Sequence, residues 1–205
     1  MFGRKPAQPK SAPEVRAEGG SLARMVNSAG RVDLTLLQRV ALAAAPEDFV
    51  RFMQQPVLAG SAIHRGNLSA QRGPASREMN RTVLFEPAVT DGESVSVSES
   101  LQHAIYPLVK GAQATSAAHF FAIGRIDTND FILPDYAISK QHAVIEIKGE
   151  GCFLRDCGST NGTFLNGTRL EKKPVPLADK DVVGFARYEF AFLQPAALFS
   201  MLTGS

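Results

Sequence analysis

Long apolar runs are missing from this 205-residue chain. No stretch of about 18 apolar residues occurs, so no membrane-spanning helix is expected. Cysteine is scarce: Cys152 and Cys157 are the two present, too few for a disulfide framework and in keeping with a reducing compartment. Their spacing of five puts them on opposite faces of a strand, which argues against a shared disulfide or metal. The charges nearly cancel, at a formal net charge of +2. Nucleic-acid binders usually carry a clear basic excess, so no nucleic-acid partner is expected. Catalytic signatures are lacking too: there is no P-loop, no His-Glu-x-x-His and no Gly-x-Ser-x-Gly. The chain therefore does not read as an enzyme, and nothing in it calls for a cofactor or metal. The opening MFGRKPAQPKSAPEVRAEGG has basic residues with no apolar core behind them, unlike a secretory signal. A soluble, cytoplasmic protein is the expectation.

Hydrophobic residues make up 44% of the chain, enough for a packed core. The pattern divides the sequence into four segments. Residues 1–30 are rich in Pro, Ala, Ser, Gly and basic residues without periodicity, and are expected to be a disordered tail. Residues 31–60 switch to helical spacing. Leu34, Leu37, Val40, Ala41 and Ala44 fall on one face, with Asp33 as N-cap. A second helix restarts at Pro46, with Glu47 and Asp48 in its first turn and a Phe49, Phe52, Met53 stripe, ending near Pro56. This helical hairpin is too small to bury much surface alone and must pack on the C-terminal domain or on another protein. Residues 61–97 hold turn and breaker residues around one candidate strand, TVLFEP, and read as a linker.

From residue 98 to 200 the pattern is β. HFFAIGR, HAVIEIK and CFLRD look like strands. In HAVIEIK, Ala143, Ile145 and Ile147 alternate with Val144, Glu146 and Lys148. RYEFAFL sets Tyr188, Phe190 and Phe192 against Glu189, Ala191 and Leu193. Short strands with closely spaced turns point to an all-β sandwich. The tail PAALFSML has helical character, suited to capping an end of that sandwich.

The run RDCGSTNGTFLNG, Arg155 to Gly167, is the most unusual stretch. Two Asn-Gly pairs, each a strong tight-turn signal, flank a very short strand and follow a Ser-Thr pair. Such a run leaves backbone N–H groups and hydroxyls uncovered, and donors fixed by turn geometry suit an anion. Two further clusters lie in the same β segment: Gly124-Arg125 at a strand end, and SKQH from Ser139 to His142 opening another.

Taken in order, IGRIDTNDFILPDYAISKQHAVIEI followed by LRDCGSTNGTFLNG resembles a forkhead-associated (FHA) domain. Four separated motifs agree: a Gly-Arg pair, a Ser-x-x-His, an Asn-Gly after Ser-Thr, and a second Asn-Gly. The resemblance covers roughly residues 98–193. It implies a mainly β fold, an FHA-type sandwich of two antiparallel sheets, here preceded by a short helical segment and the tail. It also implies a protein or peptide partner carrying phosphothreonine, supplied by a Ser/Thr kinase pathway, with the kinase itself as a further partner.

By the same resemblance, Arg125 matches the phosphate-binding arginine and Ser139 the serine whose hydroxyl donates to a phosphate oxygen. Thr160 matches a further hydroxyl contact, and Asn161 the residue that grips the peptide backbone. Lys140 stands where family members vary and adds a point charge near the phosphate. His142 matches the residue that holds the loops in shape. Gly124 and Gly162 permit close approach and positive φ, while Asn166 and Gly167 form the second turn and brace the first. Phosphothreonine is close to a dianion at pH 7 with three acceptor oxygens, which suits a guanidinium fork. Hydrogen bonds to charged groups are worth roughly 1.5–3 kcal/mol each, so three or four account for much of a micromolar affinity of about 8 kcal/mol.

Other readings use the same residues. Arg125, Lys140, Arg155 and Arg169 could line a basic rim for nucleic acid, although the small net charge argues against it. The chain could instead be a scaffold that takes a second protein partner through its helices, with phosphate-independent binding by the β domain. Thr82 and Thr90, in the linker, are candidates for phosphorylation and binding in cis.

Overall fold

In a computed structural model of the chain, the residues described are 22–27, 30–61, 101, 103–111, 113–149 and 151–204. Most of the expected tail and linker, with the candidate strand at 82–87 and both Thr82 and Thr90, lies outside them. Part of the expected tail is ordered: Leu22–Met25 form a short helix, α1, and Val26 bridges Val32. Leu22 has the apolar side chain that anchors this turn, and it is buried.

Helices α2 (Leu34–Ala43) and α3 (Pro46–Met53) form where the apolar periodicity places them. Asp33 caps α2, its Oδ1 accepting from Leu36 N at 2.7 Å. Pro46, Glu47 and Asp48 open α3, and Gln54 at φ 56° ends it. Leu34, Leu37, Ala41, Phe49 and Met53 are buried.

The strands are β1 (Val57–Gly60), β2 (Ile105–Pro107), β3 (Phe120–Gly124), β4 (Phe131–Ile132), β5 (Ala143–Lys148), β6 (Gly151–Asp156), β7 (Thr163–Leu165), β8 (Thr168–Arg169), β9 (Val175–Pro176), β10 (Val182–Phe185) and β11 (Tyr188–Leu193). Among the described residues they build a six-stranded sheet in the order β2-β1-β11-β10-β7-β8 and a five-stranded sheet in the order β4-β3-β5-β6-β9. The fold is thus the expected two-sheet sandwich. One pairing departs from the antiparallel expectation: β3 and β4 run parallel. The loop after β3 doubles back, with Asp130 N bonded to Ala122 O at 2.9 Å, so β4 re-enters alongside β3 in the same direction.

Strand alternation sends side chains to two separate cores. Between the sheets lie Leu58, Tyr106, Phe121, Ile123, Phe131, Ile145, Leu154, Phe185, Phe190 and Phe192. On the outer face of the six-stranded sheet, Val57, Ala59, Ile105, Ala191 and Leu193 pack against Leu37, Phe49, Met53 and the C-terminal helix α4 (Pro195–Thr203). The helical hairpin therefore packs on its own chain, as a third layer. Helix α4 belongs to that layer instead of capping an end, because Leu198 and Leu202 face the same apolar surface, and Gln38 Nε2 donates to Leu202 O at 3.2 Å.

Residues 57–60 end the segment read as a helical hairpin, yet they form a strand inside the sheet, paired with β11 from Val57↔Leu193 to Gly60↔Phe190. All four are buried. Among the described residues, no helix is long and apolar enough to cross a membrane.

Candidate functional site

Register brings three loops to one edge of the five-stranded sheet. Ile123 near the end of β3 pairs with Ala143 at the start of β5, which pairs with Asp156 at the end of β6. The loops 125–130, 133–142 and 157–162 therefore leave or enter at the same edge. The turn between β10 and β11 reaches it from the other sheet, where Phe185 pairs with Thr163.

Gly124 makes the close approach possible. A Cβ there would fall on the Lys140 carbonyl and within 2.8 Å of Asn129 Nδ2. With no side chain in the way, Arg125 N bonds Ser139 O at 3.0 Å, and His142 N bonds Ile123 O at 2.8 Å. Asn129, buried, closes the crossing by donating from Nδ2 to Ile126 O and Lys140 O, both at 2.8 Å.

His142 is fully buried and joins two loops. Its Nδ1 accepts from Ser139 N at 3.1 Å, so Nε2 carries the proton and donates to Gly162 O at 3.0 Å. Burial lowers its pKa below 6.5, outweighing the bond to Gly162 and the nearby Asp156 carboxylate, which push upward. Ser139 Oγ accepts from Thr160 N at 3.1 Å, and Asn161 Nδ2 donates to Ala137 O at 2.8 Å. Thus Arg125, Ser139, Thr160, Asn161, His142 and Gly162 are joined through direct hydrogen bonds between their loops.

The STNG turn is organised by Asp156. Its Oδ2 accepts from Gly158 N at 2.8 Å and Ser159 N at 3.0 Å; its Oδ1 accepts from Ser159 Oγ at 2.5 Å and Thr163 Oγ1 at 2.6 Å. Burial works to raise this carboxyl's pKa, but the hydrogen bonds from Ser159, Thr163 and Gly158 prevail and hold it below 3.8. Gly162 has φ +88°, and a Cβ there would meet Arg169 Nε at 2.8 Å. A second brace is Asp135, whose carboxylate accepts from Arg187 and the Tyr188 hydroxyl and, at 2.7 Å, from Ala137 N. Its pKa is also lowered, those bonds overcoming burial.

The cationic group at the centre is Arg125. Its guanidinium stacks over the Tyr136 ring, 5.2 Å from the centroid. Its Nε is buried without a hydrogen-bond partner, and it joins no ion pair among the described residues. Lys140 and Thr160 are exposed in the adjoining loops, and Ser139 is half-buried.

Two expected supports sit elsewhere. Asn166 (φ 50°) and Gly167 (φ +80°) form the second turn, but Asn166 does not bond to the first. Its Nδ2 donates to Asp181 Oδ1 and its Oδ1 accepts from Val182 N, both at 2.8 Å, so it braces the approach to β10. Asp156, Asn129 and Asp135 were not singled out from the sequence. The one local cue was Asp156 three residues before Ser159, a spacing that lets a carboxylate cap a turn. Cys152 is buried and Cys157 exposed, and both are free thiols. Among the described residues, no cluster of three or more His, Cys, Asp or Glu is placed to hold a metal.

Residues 121–186 match the FHA domain family. The chain is 37% identical over 70 residues to the ABC transporter ATP-binding/permease protein Rv1747 of Mycobacterium tuberculosis, covering 34% of this chain and 8% of that protein. It is 35% identical over 60 residues to the FHA domain-containing protein FhaB of the same species, covering 29% of this chain and 39% of FhaB. The chain thus spans well under half of either relative. A solved structure described as a study of phosphothreonine-dependent FHA domain interactions is 30% identical, covering 43% of this chain and 82% of that one, with a TM-score of 0.37.

Proposed function

We propose, since residues 121–186 are an FHA domain, that this protein is a phosphothreonine reader serving a Ser/Thr kinase pathway as an adaptor. The observation that carries the reading is Arg125: a guanidinium with a buried, unpartnered Nε, held by backbone bonds beside Ser139 and, through Ser139, Thr160. In this reading Arg125 forks the phosphate, Ser139 and Thr160 offer hydroxyls, Lys140 adds charge at the rim, and Asn161 holds the peptide backbone. Gly124, His142 and Gly162 keep the loops in register. The ligand is a protein in which a Ser/Thr kinase has phosphorylated a threonine, and the adaptor works in the cytoplasm.

A binding module fits the geometry better than an enzyme. Ser139 and His142 are not a nucleophile and its base, because both ring nitrogens are committed, one to Ser139 N and the other to Gly162 O. Threonine is favoured over serine where a cleft accepts the γ-methyl, a group worth about 1–3 kcal/mol. The test is a phosphothreonine peptide-library screen with phosphoserine and unphosphorylated controls. Selective retention of phosphothreonine peptides is expected. Equal retention of unphosphorylated peptides would instead support a phosphate-independent scaffold.

A further inference from the structure

Tyr136 is not accounted for by the phosphate site or by the core. It is a large side chain left 79% exposed. Its hydroxyl makes no hydrogen bond among the described residues, and its ring lies under the Arg125 guanidinium. The backbone on either side is fixed. Asp135 is tied to Arg187 and Tyr188 across the sandwich, and it also accepts from Ala137 N. Ala137 O receives Asn161 Nδ2, and Ile138, which follows, is buried, with its N bonded to Asp135 O at 3.0 Å. An aromatic ring is thus projected into solvent from a pinned loop. One face of it is stacked on the Arg125 guanidinium, and its neighbour Ala137 is tied to the residue proposed to grip the peptide.

A solvated ring on a mobile loop would gain little from a ligand, because ordering it costs entropy. Here that ordering is already done by the fold. Arg125 covers one face of the ring, and the exposure of the side chain leaves the opposite face open to solvent. We infer that Tyr136 is a specificity-determining residue that selects phosphopeptides carrying an apolar side chain next to the phosphothreonine, which it receives against its exposed face. This rests on the phosphothreonine reading above and adds the ligand's sequence class to it.

The test is an oriented phosphothreonine peptide library applied to the full chain as wild type, Tyr136→Phe and Tyr136→Ala, followed by titration of the best peptide and thermal unfolding of each form. Wild type and Tyr136→Phe should enrich apolar residues at one position flanking the phosphothreonine. Tyr136→Ala should lose that enrichment and bind the best peptide roughly three- to tenfold more weakly, with an unshifted unfolding midpoint. Unchanged enrichment and affinity in Tyr136→Ala would overturn the inference. So would a wild type that binds phosphothreonine peptides with no apolar preference beside the phosphate, although the phosphothreonine reading would then stand. A wild type that binds no phosphothreonine peptide at all would end both.

Discussion

The imidazole of His142 holds Ser139 to Gly162, accepting from the first residue's N–H at 3.1 Å and donating to the second's carbonyl at 3.0 Å. One buried ring thereby sets the distance between the loop with the serine hydroxyl and the loop with the threonine hydroxyl. His142→Ala removes both bonds and leaves a cavity, at a cost of about 2–4 kcal/mol. The unfolding midpoint should drop and peptide affinity should fall with it; an unchanged midpoint would assign the ring a different role.

The same ring gives stability a pH dependence. Its folded pKa lies below 6.5 because burial disfavours the charged form. As pH falls through the unfolded value, the unfolded chain takes up the proton first, so stability is full above about pH 6.5 and declines toward the folded-state pKa. Chemical denaturation across mildly acidic buffers should show this slope in the wild type and a smaller one in His142→Gln. Equal slopes would mean that the ring is not held neutral.

Ligand binding should weaken for a different reason as pH drops below about 6, because the phosphate's second proton returns and the dianion is lost. Calorimetric titrations from slightly alkaline to mildly acidic buffer should show progressively weaker binding. A flat profile would count against recognition of the dianion.

Asp156 supports the STNG turn through four hydrogen bonds from Gly158, Ser159 and Thr163. Asp156→Asn sets an amide donor against these donors and should cost about 2–3 kcal/mol. The wild-type contribution is present above the ordinary carboxylate value of 3.8 and is lost as pH falls through the lower folded pKa. An acid-unfolding curve unaltered by the substitution would remove Asp156 from this role.

The helices are integral to the sandwich in this account. Phe49 is fully buried against the outer sheet face, and its ring packs at a tilt against Phe199 of α4, 5.4 Å between centroids. Phe49→Ala should cost about 3–5 kcal/mol and lower the midpoint of the single transition that also unfolds the β layers. Loss of the helices alone, with the strands still folded, would show that they form a separate unit.

The turns of the candidate site were legible in the sequence because their chemistry is local. Asn-Gly pairs, Gly124 and the Ser-x-x-His spacing each announce a turn or a close approach without reference to the rest of the chain. The helices were legible from their stripes, as was β11 from its strict alternation. What escaped notice depends on distant partners. Val57–Gly60 is buried on both faces and four residues long, so it has no alternation to display, and its partners on both sides are distant in the sequence, Val57 pairing with Pro107 and with Leu193. Asn129 and Asp135 read as ordinary polar loop residues, since Lys140 and Arg187 meet them only in the folded chain. Asn166 formed the expected turn, but its brace runs to Asp181, which no spacing rule indicated.

In the proposed reading Arg125 and Ser139 clasp a phosphorylated threonine. This is tested most directly by calorimetric titration of one phosphothreonine peptide into wild type, Arg125→Ala and Ser139→Ala, with thermal unfolding run alongside. Binding should be lost in both variants while their unfolding midpoints stay near wild type. Wild-type affinity in either folded variant would contradict that reading.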